Sequence, residues 1–249
     1  MATTSRVSTS HAKRLPGRRY DHVFFTSLIV IMLGTVFLGF ARSYFLAGVY
    51  HAPPLTPILH IHGGVFSLWM LVLLAQTTLV SAGRVDLHRK LGMAGFVLAC
   101  LMIVLGVLAT ADSVGKGSYL PHPPDNLAFT VVPITAIFLF AVLIGLAYRA
   151  RKDSAAHKRL VILAMCGPIV AAIARWPFPW LYRIVEHATL VSFFFIVALV
   201  LYDLWATHKI HRATLWGSAL VIVIEETRGM IGATEQWHVF ARWLQSWNI

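Results

Sequence analysis

The chain has 249 residues, 58% of them hydrophobic and only 12% charged, where an average soluble domain carries roughly a quarter charged residues. A water-soluble domain of this length could not bury so much apolar sequence. The net charge of +11 is spread along the chain in short groups, which excludes the concentrated basic stripe of a nucleic-acid-binding domain.

Residues 1–21 form a polar cytoplasmic tail with Arg6, Lys13, Arg14, Arg18 and Arg19. Basic residues before an apolar run resemble a secretory leader, but this tail and its run are both longer than a leader needs, so the first run reads as retained. Apolar runs follow at 22–41, 58–80, 91–111, 127–148, 158–175, 184–205 and 213–232. About 18 or more such residues cross a hydrocarbon layer of roughly 30 Å as a helix. Helices satisfy their own backbone in lipid, and the alternation of a membrane β-barrel is absent. The expected fold class is all-α: a polytopic membrane helical bundle of about seven transmembrane helices over 22–232. Pro133 predicts a kink in the fourth helix, and Pro168 makes the short fifth helix the least regular. In 233–249, Trp237, Phe240, Leu244 and Trp247 recur at helical spacing behind Thr234, a suitable N-cap. That segment reads as an amphipathic interfacial helix.

Basic residues set the orientation. Arg84, Arg89 and Lys90, then Arg149, Arg151, Lys152, Lys158 and Arg159, then Lys209 and Arg212 fall in connections on the same side as the tail. The positive-inside rule places the N-terminus in the cytoplasm and the C-terminus outside. The opposite connections, 50–57, 121–125 and 175–180, hold most of the eleven prolines. Proline restricts the open chain, so an ordered outer rim is expected. Cys100 and Cys166 form no CxxC pair and suggest neither a disulfide framework nor a metal motif.

Histidines carry the chemical signal. His62 lies near the outer start of the second helix and His187 near the outer start of the sixth. His88 and His157 lie at the inner starts of the third and fifth. Each membrane level therefore receives two imidazoles. From His88, helical steps reach Gly92, Gly95, Ala99, Met102 and Gly106, a small-residue face that admits a neighbouring helix or a flat cofactor. Neutral imidazole ligates haem iron, copper and zinc, so the pairs could hold haem b at two levels. The same histidines adjoin basic interfacial residues and equally suit anchoring or packing. A copper or zinc centre on His60 or His62, with His51, His122, His187 or His238, stays open. His60 and His62 point roughly 200° apart at about 100° per residue, so one can bind while the other packs.

Glu225 and Glu226 interrupt the seventh run, and Glu186 precedes His187. Carboxylates in a membrane segment face a cavity or a partner. With Gln76, they are candidates for supporting ligands or relaying protons. Glu225 and Arg228 also stand at i,i+3, the spacing of a structural ion pair. No lysine lies in the seventh run, which argues against a retinal protein.

The run through His60-Ile61-His62-Gly63, Trp69, Gln76, Gly83-Arg84, Leu87-His88-Arg89-Lys90-Leu91-Gly92 and Gly95 resembles a family of bacterial multipass membrane proteins. The tail pattern Arg228, Ile231, Thr234, Trp237, Phe240-Ala241 and Trp243-Leu244 is similar. This resemblance implies a bacterial inner membrane and no particular activity. The placement of paired histidines, though not the helix count, resembles cytochrome b561-like two-haem proteins. That resemblance concerns ligand placement alone; the histidine pairs themselves are read as an electron-transfer centre, with quinone or a larger membrane redox complex as the expected partner. Two other readings stay open: a non-enzymatic subunit, assembly factor or carrier, and a heptahelical metal-dependent membrane hydrolase. The hydrolase reading lacks a His-x-x-x-His pair in the last helices. No nucleotide-binding loop or nucleophile elbow is present.

Overall fold

A computed structural model describes residues 20–116, 125–178 and 185–247. The basic tail, His122 and the side chain of Glu186 lie outside the described residues. The described chain is helical, in the order α1 (Asp21–Phe40), a π-helical turn (Ala41–Phe45), α2 (Pro57–Ser81), α3 (Val85–Gly115), α4 (Asn126–Phe129), α5 (Val131–Arg149), α6 (Ser154–Ala164), α7 (Cys166–Ile173), α8 (Val185–Ser192), α9 (Phe194–Thr207), α10 (Arg212–Gly232) and α11 (Glu235–Gln245).

Six helical stretches are long and apolar enough to cross a membrane: Asp21–Phe45, Pro57–Ser81, Val85–Gly115, Asn126–Arg149, Ser154–Ile173 and His187–Thr207. Their outward faces are apolar as well. Val30, Phe37, Leu68, Val97, Val104 and Leu201 are all exposed. A contiguous apolar exterior of that kind requires lipid rather than water. The six stretches make this a multi-pass membrane protein.

Both prolines act where chain chemistry predicts. Pro133 sits three residues after Thr130, where α4 gives way to α5, and Pro168 three residues after Met165, where α6 gives way to α7. A proline has no N–H for the carbonyl four residues back, and its ring crowds that carbonyl. The interruption between α8 and α9, at Phe193, has no proline. There the Phe193 amide is shared between the Thr189 and Leu190 carbonyls, at 3.2 Å each. Ser192 also donates its hydroxyl to the Thr189 carbonyl at 2.7 Å, and such back-bonding bends helices.

The α6–α7 stretch is the most enclosed of the six. Its contact with α1 is close because Gly39 lacks a side chain: a Cβ there would lie 2.1 Å from the Ala172 carbonyl oxygen. Trp69 of α2 reaches the same break, its indole N–H 3.2 Å from the Met165 sulfur.

Charged groups fasten one end of the bundle. Asp203 on α9 is fully buried and accepts from Arg159 of α6, with Nε at 2.9 Å and Nη2 closer. Its other oxygen accepts the His211 amide at 2.9 Å and the Thr214 hydroxyl at 2.6 Å. One carboxylate thus joins three helices. Beside it, Asp21 pairs with Lys158 at 2.5 Å and accepts the Tyr202 hydroxyl at 2.5 Å. At the other end, buried Asp112 accepts the Thr56 hydroxyl at 2.8 Å and pairs with Lys116.

α11 starts at its N-cap Thr234, whose hydroxyl accepts the Trp237 amide at 3.2 Å. It buries Ala241 and Leu244, while Val239, Trp243 and Trp247 stay exposed. Trp237 donates its indole N–H to the Thr130 hydroxyl at 3.0 Å, and Gln245 reaches the Val114 carbonyl at 3.4 Å. The helix therefore lies against the ends of α3 and α4.

Candidate functional site

The first turn of α3 carries His88, and the first turn of α6 carries His157. α5 packs against both helices, its end fixed to α3 by stacked rings of Phe96 and Tyr148, 4.1 Å between centroids. These connections bring the two histidines to one end of the bundle. Each ring is half-buried. The backbone of Gln76, on α2, lies beside His88.

The His157 ring is held by its Nδ1, 2.8 Å from the Ala147 carbonyl oxygen at the end of α5. A carbonyl only accepts, so Nδ1 carries a proton, and in the neutral ring Nε2 is then the nitrogen with the lone pair. An N–H tied to backbone carbonyl is the usual way a ligating imidazole is oriented and made more basic. His88 Nδ1 is buried without a hydrogen-bond partner among the described residues, and so is Gln76 Oε1. Unpaired buried polar atoms cost stability.

The small-residue face above His88 is filled by side chains. A Cβ on Gly92 would lie 3.2 Å from Gln76 Nε2, one on Gly95 3.3 Å from Val72, and one on Gly106 3.0 Å from Ile137. That face serves packing against α2 and α5 and leaves no room there for a flat cofactor. Among the described residues no group of three or more His, Cys, Asp or Glu side chains gathers as a metal site. Two imidazoles are nevertheless the complete protein ligand set of a six-coordinate haem, whose porphyrin supplies the four equatorial nitrogens. His88 and His157 are donors of the kind that ligate haem iron.

The other candidates are placed differently. His62 lies against Phe66, 5.5 Å between ring centroids, and feels the charge of Arg175. Its helix packs on α1 and α3, whereas α8, which carries His187, packs on α7 and α9. His60 faces away from His62, toward Tyr44. Glu225 pairs with Arg228 at 2.6 Å, and Arg228 donates to the Thr189 hydroxyl at 2.6 Å. This buried cluster joins α8 to α10. Glu226 is exposed.

Sequence reasoning did not anticipate the Ala147 carbonyl or the cap at His211. His211 Nδ1 accepts the Ala213 amide at 3.1 Å and starts α10. Burial pushes the His211 pKa down, and the nearby Arg159 charge pushes the same way. The sequence signal for this cap was present in the polar pair His208 and Lys209 ending one helix just before Arg212 begins the next. Comparison of the chain with family models, with curated proteins and with solved structures finds no match.

Proposed function

We propose that this protein is a membrane electron-transfer protein that holds a b-type haem between His88 and His157. The observation carrying this reading is the pair of imidazoles in the first turns of α3 and α6, two helices that both pack on α5, with the His157 Nδ1 tied to the Ala147 carbonyl. When bound, the haem supplies one-electron oxidation and reduction at iron. His88 and His157 would hold the group: the Ala147 carbonyl would keep the His157 proton on Nδ1, and the Phe96–Tyr148 stack would tie α5 to α3. Gln76 leaves a carbonyl oxygen free to receive a hydrogen bond at the site. His62 and His187 form the proposed second level, supported only by their positions near the starts of α2 and α8.

The topology proposed with this function has seven spans, the N-terminus in the cytoplasm of a bacterial inner membrane and the C-terminus outside. Arg212–Gly232 is the seventh span. It has 21 residues and packs with α5 and α6, although Glu225, Glu226 and Arg228 lower its apolar content. Quinone or a larger redox complex is the proposed exchange partner.

Oxidised and dithionite-reduced absorption spectra of detergent-purified protein test the reading. A Soret band and a reduced α-band that scale with protein support it. A colourless preparation containing zinc or copper would replace it with a metal-centred reading. A colourless, metal-free preparation would leave an accessory subunit or carrier.

A further inference from the structure

At the opposite end of the bundle, α1 ends in the π-helical turn Ala41–Phe45. Such turns recur at functional sites, where the extra residue redirects side chains. His51 follows with a left-handed backbone, φ 50°, a conformation that residues with a Cβ seldom adopt. Tyr44, from the π turn, donates its hydroxyl to the His60 carbonyl at 3.1 Å, and its ring lies 5.9 Å from the His60 imidazole. Gly63 makes this possible, since a Cβ there would come within 2.7 Å of the Tyr44 ring. The outcome is a cavity of about 280 Å³ walled by Ser43, Tyr44, His51, Pro53, Pro54 and His60.

Backbone outliers point toward function when they converge on one place. Here the π turn and the left-handed residue bring two imidazoles, one from the α1–α2 connection and one from the first turn of α2, to the wall of one cavity. We propose that this pocket binds a divalent late-transition-metal cation, copper(II) in preference to zinc(II), with His51 and His60 as its protein ligands. Imidazole nitrogen suits both ions, and copper(II) binds such donors more tightly. No carboxylate lines the cavity, so calcium and magnesium lack the ligands they need. Water completes the coordination, since the site opens to the surface and both histidines are exposed. Pro53, Pro54 and the locked Tyr44 hold the connection in shape before the ion arrives. The site is separate from the His88–His157 pair and does not depend on it.

Full-length protein, tag removed and in detergent, is loaded with copper(II) and dialysed against glycine to strip loosely held metal. The wild type is expected to retain stoichiometric copper with nitrogen superhyperfine structure in its electron paramagnetic resonance spectrum. Zinc should displace that copper only in large excess. H51N keeps the left-handed backbone, because asparagine tolerates it, and H60Q keeps a polar side chain of similar length. Each variant should weaken retention by more than about tenfold, the scale of loss already seen when groups supporting a ligand are removed. Haem content and melting temperature should not change, whereas H238A should retain copper as the wild type does. The proposal is overturned if H51N/H60Q holds as much copper as the wild type. It is equally overturned if the wild type holds no copper after dialysis, or if zinc is retained over copper.

Discussion

Replacing Asp203 by alanine should cost more stability than any other single charge removal. The substitution leaves the Arg159 guanidinium, 4% exposed, without its countercharge. It also strips an acceptor from the His211 amide and the Thr214 hydroxyl. Removing one partner of a buried ion pair costs about 3–5 kcal/mol. A chain of this size loses roughly 2–4 °C per kcal/mol, so the melting temperature should fall by about 6–20 °C. The assay is thermal unfolding in detergent, read by a thiol-reactive dye at buried Cys166 in a Cys100→Ser background, because Cys100 is exposed. All variants are compared at one scan rate, since unfolding of this kind is commonly irreversible. The double variant R159M/D203L should recover much of the loss, because apolar side chains of similar size often replace a buried pair without penalty. A shift below about 2 °C for D203A, or a double variant no more stable than D203A, would refute the reasoning.

Other outcomes follow from the same packing and chemistry. G39A should melt lower by the equivalent of about 1–3 kcal/mol, because its new Cβ meets the α7 backbone; G34A, which meets nothing within 4 Å, should not. The His211 pKa lies below its unfolded value, so its contribution is fully present above about pH 6.5 and is lost as pH falls through the lower folded pKa. H211N, which keeps a capping oxygen, should flatten that part of the melting temperature–pH curve. For the topology, thiols introduced at Ser154 and Thr207 should be shielded from an impermeant reagent in intact cells, while one at Gln236 reacts.

Hydropathy located the helices because lipid demands long apolar runs, and the expected ranges fall close to the observed elements. It misplaced the start of α3, near 91 rather than at Val85. The polar residues His88, Arg89 and Lys90 extend the helix past the apolar run, and hydropathy does not register them. The two prolines announced their interruptions; the one at Phe193 depends on a shared amide and was not visible. The position of His88 and His157 near helix starts was legible. The Ala147 contact was not, since a carbonyl leaves no trace in residue identity. The glycines at 92, 95 and 106 were legible as small but not as filled: which side chain enters each gap is a matter of three-dimensional packing. The convergence of His51 and His60 depends on a π turn and a left-handed residue that no periodicity reveals.

The most direct measurement of the central claim is the reduced-minus-oxidised absorption spectrum of wild type, H88A and H157A purified from haem-replete cells. The account predicts a b-type spectrum in the wild type and loss of the same spectral component in both variants, with H208A unchanged. A wild type without haem, or variants that fold and keep full haem content, would contradict it.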